Sequence, residues 1–224
     1  MNVFDILGPV MIGPSSSHTA GAAKIGRIAG IILGERPVQT DIYLHGSFAA
    51  TYRGHGSDRA LVGGLLGFAI DDERLRNALD IAAQEGFSVS FHREHLGDVH
   101  PNTVRISVRG VSGKTVDLVA SSVGGGDIRV IKLSGFAVDF SGESATLIIP
   151  HRDRPGTVAA VTAILAEEGV NIAQMKVSRE FPGEDAMMII ETDQTCGERC
   201  VAEILKIASV FAVTQVEPLS MDRS

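Results

Sequence analysis

"HRDRPGTVAAVTAILAEEGVNI", residues 151–172, decides how the carboxy-terminal part of the chain is read. Pro155 suits the first turn of a helix, where its missing N–H costs nothing. Asp153 suits the N-cap, and Gly156 lets other backbone come close. The predicted helix runs through "PGTVAAVTAILAEEG" and stops before "VNIAQMKVSRE", a strand. Exposed amides at such a helix start also favour a carboxylate. A good helix start and an anion site are both open on these residues alone.

Working outward, "ATLIIPHRD" precedes the helix as a strand. "DAMMIIETD" (strand), "GERCVAEILKIAS" (helix) and "VFAVTQVEPL" (strand) follow. The order is βαββαβ, the ferredoxin-like split arrangement. The small polar linker "SGESA" (141–145) marks the boundary, dividing the chain into 1–142 and 145–220.

The front segment begins with another polar cluster, "GPSSSHTAGA" (13–22). Three serines and a histidine in one loop exceed what a single N-cap uses, and the amino end of a helix favours an anion. The helix expected at 20–35 has Ala23, Ile25, Ile28, Ile31 and Ile32 at helical spacing and ends at Gly34 and Pro37. "TDIYLHGSF" (40–48) reads as a strand. "GHGSDRALVGGLLGFAI" (54–70) reads as a helix capped by Ser57 or Asp58, and 73–85 as a further short helix. From Phe87 the period becomes two, through "FSVSFHRE", "NTVRISVRG", "KTVDLVASSV", "DIRVIKLSGF" and "AVDFSG". Helices followed by a mostly antiparallel sheet make the front segment α+β.

Bulk properties exclude several roles. Net charge is −7 and no Lys/Arg run occurs, which argues against nucleic acid as a partner. No segment reaches the roughly 18 apolar residues of a membrane span, and the first residues do not read as a signal peptide. Two cysteines make no disulfide framework, so a cytoplasmic protein is expected. His92-x-x-His95 lacks a third ligand for a metal site, so no metal is expected on this chain.

Four polar strings carry the chemistry: the Ser/His cluster, "RGHGSD" with His55 between glycines, "DVHPNTV" with His100 and Asn102, and "SSVGGGDI". Each has a plain structural reading: a cap, a solvent-facing histidine, a polar turn and a glycine bulge. Each also has a chemical one, since imidazole suits proton transfer, Asn both donates and accepts, and glycines admit a ligand.

The segment 145–220 closely resembles the ACT domain, on "DRPG-V", "GVNI" and the element order. That family usually pairs with a second copy and often binds an amino acid at the interface. The resemblance implies effector contacts at His151, Asp153, Gly156 and Asn171, with Asp153 better suited to an ammonium than to a carboxylate. Residues 1–145, with "GPSSSHTAGAAKIGR", "GHGSDRALVGGLLG", "HPNT" and "SVGGG" in that order, resemble the β chain of iron–sulfur-dependent L-serine dehydratases.

The second resemblance implies a lyase that converts L-serine to pyruvate and ammonia, a step of amino-acid catabolism and gluconeogenesis. It implies a [4Fe–4S] cluster on a partner α subunit, because this chain has two cysteines only, and an inactive isolated chain. It implies substrate binding by Ser15, Ser16, Ser17, Thr19 and Asn102, and acid/base work by His18, His55 and His100. The expected partners are L-serine, the α subunit and a second copy held through the ACT domain. A related domain in some phosphoglycerate dehydrogenases binds serine without this catalysis, so an amino-acid-binding regulatory protein is the alternative.

Overall fold

Small and apolar residues after Ser16 wind into one long helix, α1 (Ser16–Leu33). The computed structural model describes residues 16–219. Ile25, Ile28 and Ile32 of α1 are buried, which is worth about 1.5–3 kcal/mol per side chain. A second stripe of α1 is glycine, and it packs on α3 (Ser57–Leu65) without intervening side chains. A Cβ at Gly26 would stand 2.1 Å from the Leu61 carbonyl oxygen, and one at Gly64 would stand 2.2 Å from that of Ala23. Only glycine permits this backbone-to-backbone approach.

Beneath α1 lies a six-stranded sheet in the order β2-β1-β3-β4-β5-β6. Its strands are β1 (Pro37–Leu44), β2 (Ser88–Arg93), β3 (Thr103–Gly110), β4 (Thr115–Gly124), β5 (Asp127–Leu133) and β6 (Phe136–Phe140). Ile42, Leu44, Val104, Ile106, Val108, Leu118 and Ala120 alternate along β1, β3 and β4 to form its buried side. β1 pairs antiparallel with β3, and β3 with β4. β1 pairs parallel with β2, reached through α2 (Gly46–His55), α3, a 3₁₀ turn (Glu73–Asn77) and α4 (Ala78–Gln84). The expected helix over 73–85 is thus split, because Asp72 caps a tight first turn by accepting from Arg74 N–H.

The second half follows the predicted order: β7 (Ala145–Arg152), α5 (Thr157–Glu167), β8 (Ile172–Arg179), β9 (Asp185–Thr192), α6 (Glu198–Leu205) and β10 (Thr214–Val216). The sheet order is β10-β7-β9-β8, antiparallel throughout. Leu147, Ile149, Met188 and Ile190 of the sheet share one core with Val161 and Leu165 of α5 and Ile204 of α6. Packing divides the chain into two compact units after Ile128, inside β5, and each is described by itself below. Among the described residues no helix is long and apolar enough to cross a membrane.

Candidate functional site

The expected loop of serines and histidine is helical. α1 starts at Ser16, so Ser17, His18 and Thr19 stand in its first turn. Ser15 lies outside the described residues, as do the side chains of Ser16 and Ser17. His18 and Thr19 are buried, at 8% and 6% exposure. The His18 ring lies edge-on to Phe48 (centroids 5.3 Å) and to His55 (4.6 Å). Its Nε2 is 3.4 Å from Ser47 Oγ. Burial, and then the neighbouring His55, hold the His18 imidazole below its ordinary pKa of 6.5. Thr19 Oγ1 donates to the His55 carbonyl at 3.5 Å.

His55 reaches this position because the expected strand 40–48 ends early. β1 stops at Leu44, and the chain turns into α2 at Gly46. Gly46 takes φ +52, and a Cβ there would stand 2.6 Å from the Pro101 carbonyl oxygen. Ser47 N–H donates to that same oxygen at 2.8 Å. α2 closes on His55, and Gly56, left-handed at φ 75, starts α3 directly. Gly56 is therefore the N-cap, and neither Ser57 nor Asp58 caps the helix. Asp58 instead accepts from Arg59 N–H at 2.9 Å, and burial pushes its carboxyl above the usual range. α3 ends at Leu65, short of the expected Ile70. His55 Nδ1 and Ser57 Oγ are buried atoms without a hydrogen-bond partner among the described residues.

The His-Pro-Asn turn closes the arrangement. His100 is exposed, and its Nδ1 accepts from Asn102 N–H at 3.1 Å. Asn102 Oδ1 is buried and unpartnered among the described residues. The Asn102 carbonyl accepts from Ser122 N–H at 2.9 Å. Thr103 Oγ1 donates to the His100 carbonyl at 2.6 Å. Its single proton is then spent, so Ser121 Oγ is the donor in their 2.7 Å contact. The end of β4 also lies on α1, where a Cβ on Gly21 would meet Ser122 Oγ at 2.1 Å. Gly124, Gly125 and Gly126 all take positive φ, which makes the triple glycine the β4–β5 turn.

The four polar strings thus converge on the amino end of α1. His18, Thr19 and His55 come together directly. Asn102 and His100 are tied in through the Pro101–Ser47 and Asn102–Ser122 backbone bonds, with the His100 ring outside. Sequence reasoning missed Ser47, which it placed in a strand. The available signal was the Gly-Ser pair after a β-rich run, a chain-reversal point followed by helix-compatible residues.

The four ACT positions fall at two ends of the second sheet. His151 is buried, and its Nδ1 donates to the Ile149 carbonyl at 3.1 Å. Asp153 does not cap α5; Gly156 does, at φ 90, and Pro155 sits in the turn before the helix. Asp153 Oδ2 accepts from Gly183 N–H (3.0 Å) and Arg179 Nη1 (2.6 Å), bonds that hold its carboxyl below the usual range. Asn171 Nδ2 donates to Asp193 Oδ2 at 2.6 Å. The register sets His151 opposite Ala186, while Ile172, beside Asn171, pairs with Thr192 and hence lies level with Ala145. Six strand residues, roughly 20 Å, separate the two ends, so one chain alone does not join His151 to Asn171.

Cys196 precedes α6 and Cys200 lies within it, and both are buried in the core of the second unit. Burial pushes the Cys196 thiol up to about 12 and raises that of Cys200, so both stay protonated. Among the described residues no group of three or more His, Cys, Asp or Glu is arranged to hold a metal ion. His92 instead pairs with Asp41 at 2.8 Å, and His95 stands edge-on to His45. The donor set of this chain does not fit a [4Fe–4S] cluster.

Two family models and several known proteins match the chain. The family model for the serine dehydratase beta chain matches residues 2–86, and that for the ACT domain matches residues 145–195. The chain is 43% identical over 215 residues to the probable L-serine dehydratase, beta chain, of Bacillus subtilis (strain 168), covering 96% of this chain and 97% of that one. It is 36% identical over 217 residues to the L-serine dehydratase, beta chain, of Peptoniphilus asaccharolyticus, covering 96% and 98%. It is also 25% identical over 197 residues to D-3-phosphoglycerate dehydrogenase of Bacillus subtilis (strain 168), covering 88% of this chain and 37% of that protein.

Proposed function

The chain belongs to the serine dehydratase beta chain family, and on that premise we propose that it is one subunit of an L-serine ammonia-lyase. The reaction removes the α proton and the β hydroxyl of L-serine as water, and the resulting enamine hydrolyses through its imine to pyruvate and ammonia. In this reading the chain supplies substrate contacts and proton transfer. A partner α subunit carries the [4Fe–4S] cluster, because the two thiols here are protonated and sealed in a core.

The observation that carries the reading is His55 Nδ1, a buried atom without a hydrogen-bond partner among the described residues, beside His18, whose neutral form burial favours. An orphaned buried nitrogen costs about 1–3 kcal/mol unless a ligand satisfies it. The proposed proton acceptor is His55, with His18 next to it and the first-turn hydroxyls and amides of α1 on the substrate carboxylate. Asn102 Oδ1, also orphaned, is the proposed acceptor for the substrate ammonium. A neutral imidazole suits proton acceptance, and burial favours that form of His18.

The ACT unit is proposed to join two copies. β8 is an edge strand of its sheet, and Met175 and Val177 on it are 40% exposed. Unpaired edge backbone with apolar side chains suits strand addition by a second copy. Such pairing is also what the roughly 20 Å separation of His151 and Asn171 demands if both are to touch one effector.

A second reading, an amino-acid-binding regulatory protein without catalysis, has support in the similarity to about a third of a D-3-phosphoglycerate dehydrogenase. Co-expression with a candidate α subunit under anaerobic conditions separates the two. Pyruvate release from L-serine supports the lyase; serine binding without turnover supports the regulator.

A further inference from the structure

Resting on the lyase reading, we propose that Ser47 is a positioning residue that sets the protonation pattern of His18. The Ser47 hydroxyl stands 3.4 Å from His18 Nε2. No other hydrogen-bond partner of Ser47 Oγ lies among the described residues, and we assign its single proton to that nitrogen. Nε2 is then the acceptor, and the neutral ring carries its proton on Nδ1.

The setting is rigid. Ser47 N–H is bonded to the Pro101 carbonyl at 2.8 Å, and Thr51 Oγ1 donates to the Ser47 carbonyl at 2.8 Å. Gly46 leaves no room for a Cβ against Pro101, and Phe48 is fully buried with its ring edge-on to His18. The first turn of α2 is therefore clamped between the His-Pro-Asn turn and α1. Ser47 touches both the turn, by backbone, and the imidazole, by side chain. A displacement of Pro101 is thereby transmitted to His18.

The direction of the effect follows from the donor. A hydroxyl that donates to an unprotonated nitrogen stabilises the neutral ring, so its removal raises the proton affinity of His18. The titratable and charged groups on the elements around α1's first turn are His55 and Arg53 of α2, Asp58 and Arg59 of α3, His100 of the turn and Asp127 at the start of β5. Lys24 is buried on α1 itself. Of these, His55 has its ring against His18, and its charge acts against protonation of His18.

The experiment has two arms. Nitrogen-15 NMR of the histidines in the full chain reads the tautomer and titration of His18. The expected wild-type result is an unprotonated, hydrogen-bonded Nε2, with Ser47→Ala raising the His18 pKa and Ser47→Thr restoring it. A protonated Nε2 in the wild type, or an identical titration in Ser47→Ala, overturns the proposal even if variants fold poorly. In the complex with its α subunit, Ser47→Ala is expected to lower kcat about tenfold to a hundredfold. It should also move the acid limb of kcat/KM to higher pH, with KM little changed. Lost activity with an unmoved acid limb would make Ser47 merely structural and overturn the proposal. Absence of pyruvate from the wild-type complex would overturn the lyase reading instead, while the NMR arm still decides Ser47.

Discussion

His18 and His55 stand edge to face with ring centroids 4.6 Å apart, one in the first turn of α1 and the other closing α2. Burial, and then the neighbouring His55, disfavour the charged form of His18.

This relationship predicts a pH dependence of stability. The folded pKa of His18 lies below 6.5, so as pH falls through 6.5 the unfolded chain takes up a proton that the folded chain refuses. Stability from this group is full above 6.5 and declines below it, down to the depressed folded value. His18→Asn should flatten the fall in unfolding free energy between about pH 7 and pH 5, as read by urea denaturation. Asp58 works oppositely at lower pH: its raised carboxyl favours the folded state as pH drops from its folded pKa toward 3.8. An unaltered slope in His18→Asn would contradict the assignment.

Close contact between α1 and α3 predicts a steep cost for one methyl group. Gly26→Ala places Cβ 2.1 Å from the Leu61 carbonyl oxygen and should destabilise by about 1–3 kcal/mol. Gly54→Ala, in α2 with nothing within 4 Å, should be neutral or stabilise by about 0.5–1 kcal/mol. Thermal melts of the two variants check the contrast.

The cysteines predict a negative result for metal binding. Cys196→Ala in the α-containing complex should leave iron content per complex unchanged, since its thiol is buried and protonated. Neither thiol should react with an aromatic disulfide reagent until the chain unfolds. Loss of iron on this substitution would place a cluster ligand on this chain.

The proposed association through the ACT unit predicts that β8 is sensitive. Met175→Lys with Val177→Lys puts two charges on an exposed edge and should lower the assembly mass measured by light scattering. An unchanged mass would remove the ACT sheet from the assembly.

The fold was legible where periodicity and punctuation agreed. The alternating strands from Ser88 onward and the βαββαβ order of the second unit follow directly from them. Boundaries failed where glycine did the capping. Asp153, Ser57 and Asp58 are good cap residues by type, yet Gly156 and Gly56 hold those positions in the left-handed region. The strand expected through Phe48 ended at Leu44 because Gly46 meets Pro101, which is distant in sequence. The site was legible as four strings but not as a geometry. The Ser47–His18 contact and the orphaned atoms of His55, Ser57 and Asn102 depend on how α1, α2 and the 100–102 turn pack. No local pattern encodes that.

In the proposed lyase His55 moves the substrate proton while the chain stays assembled with its partner. The decisive measurement is steady-state pyruvate formation from L-serine by the purified complex carrying His55→Ala. Loss of a general base predicts a fall in kcat of about 10²–10⁴ with iron content and complex mass unchanged. Wild-type kcat in that intact complex would rule out His55 as the base.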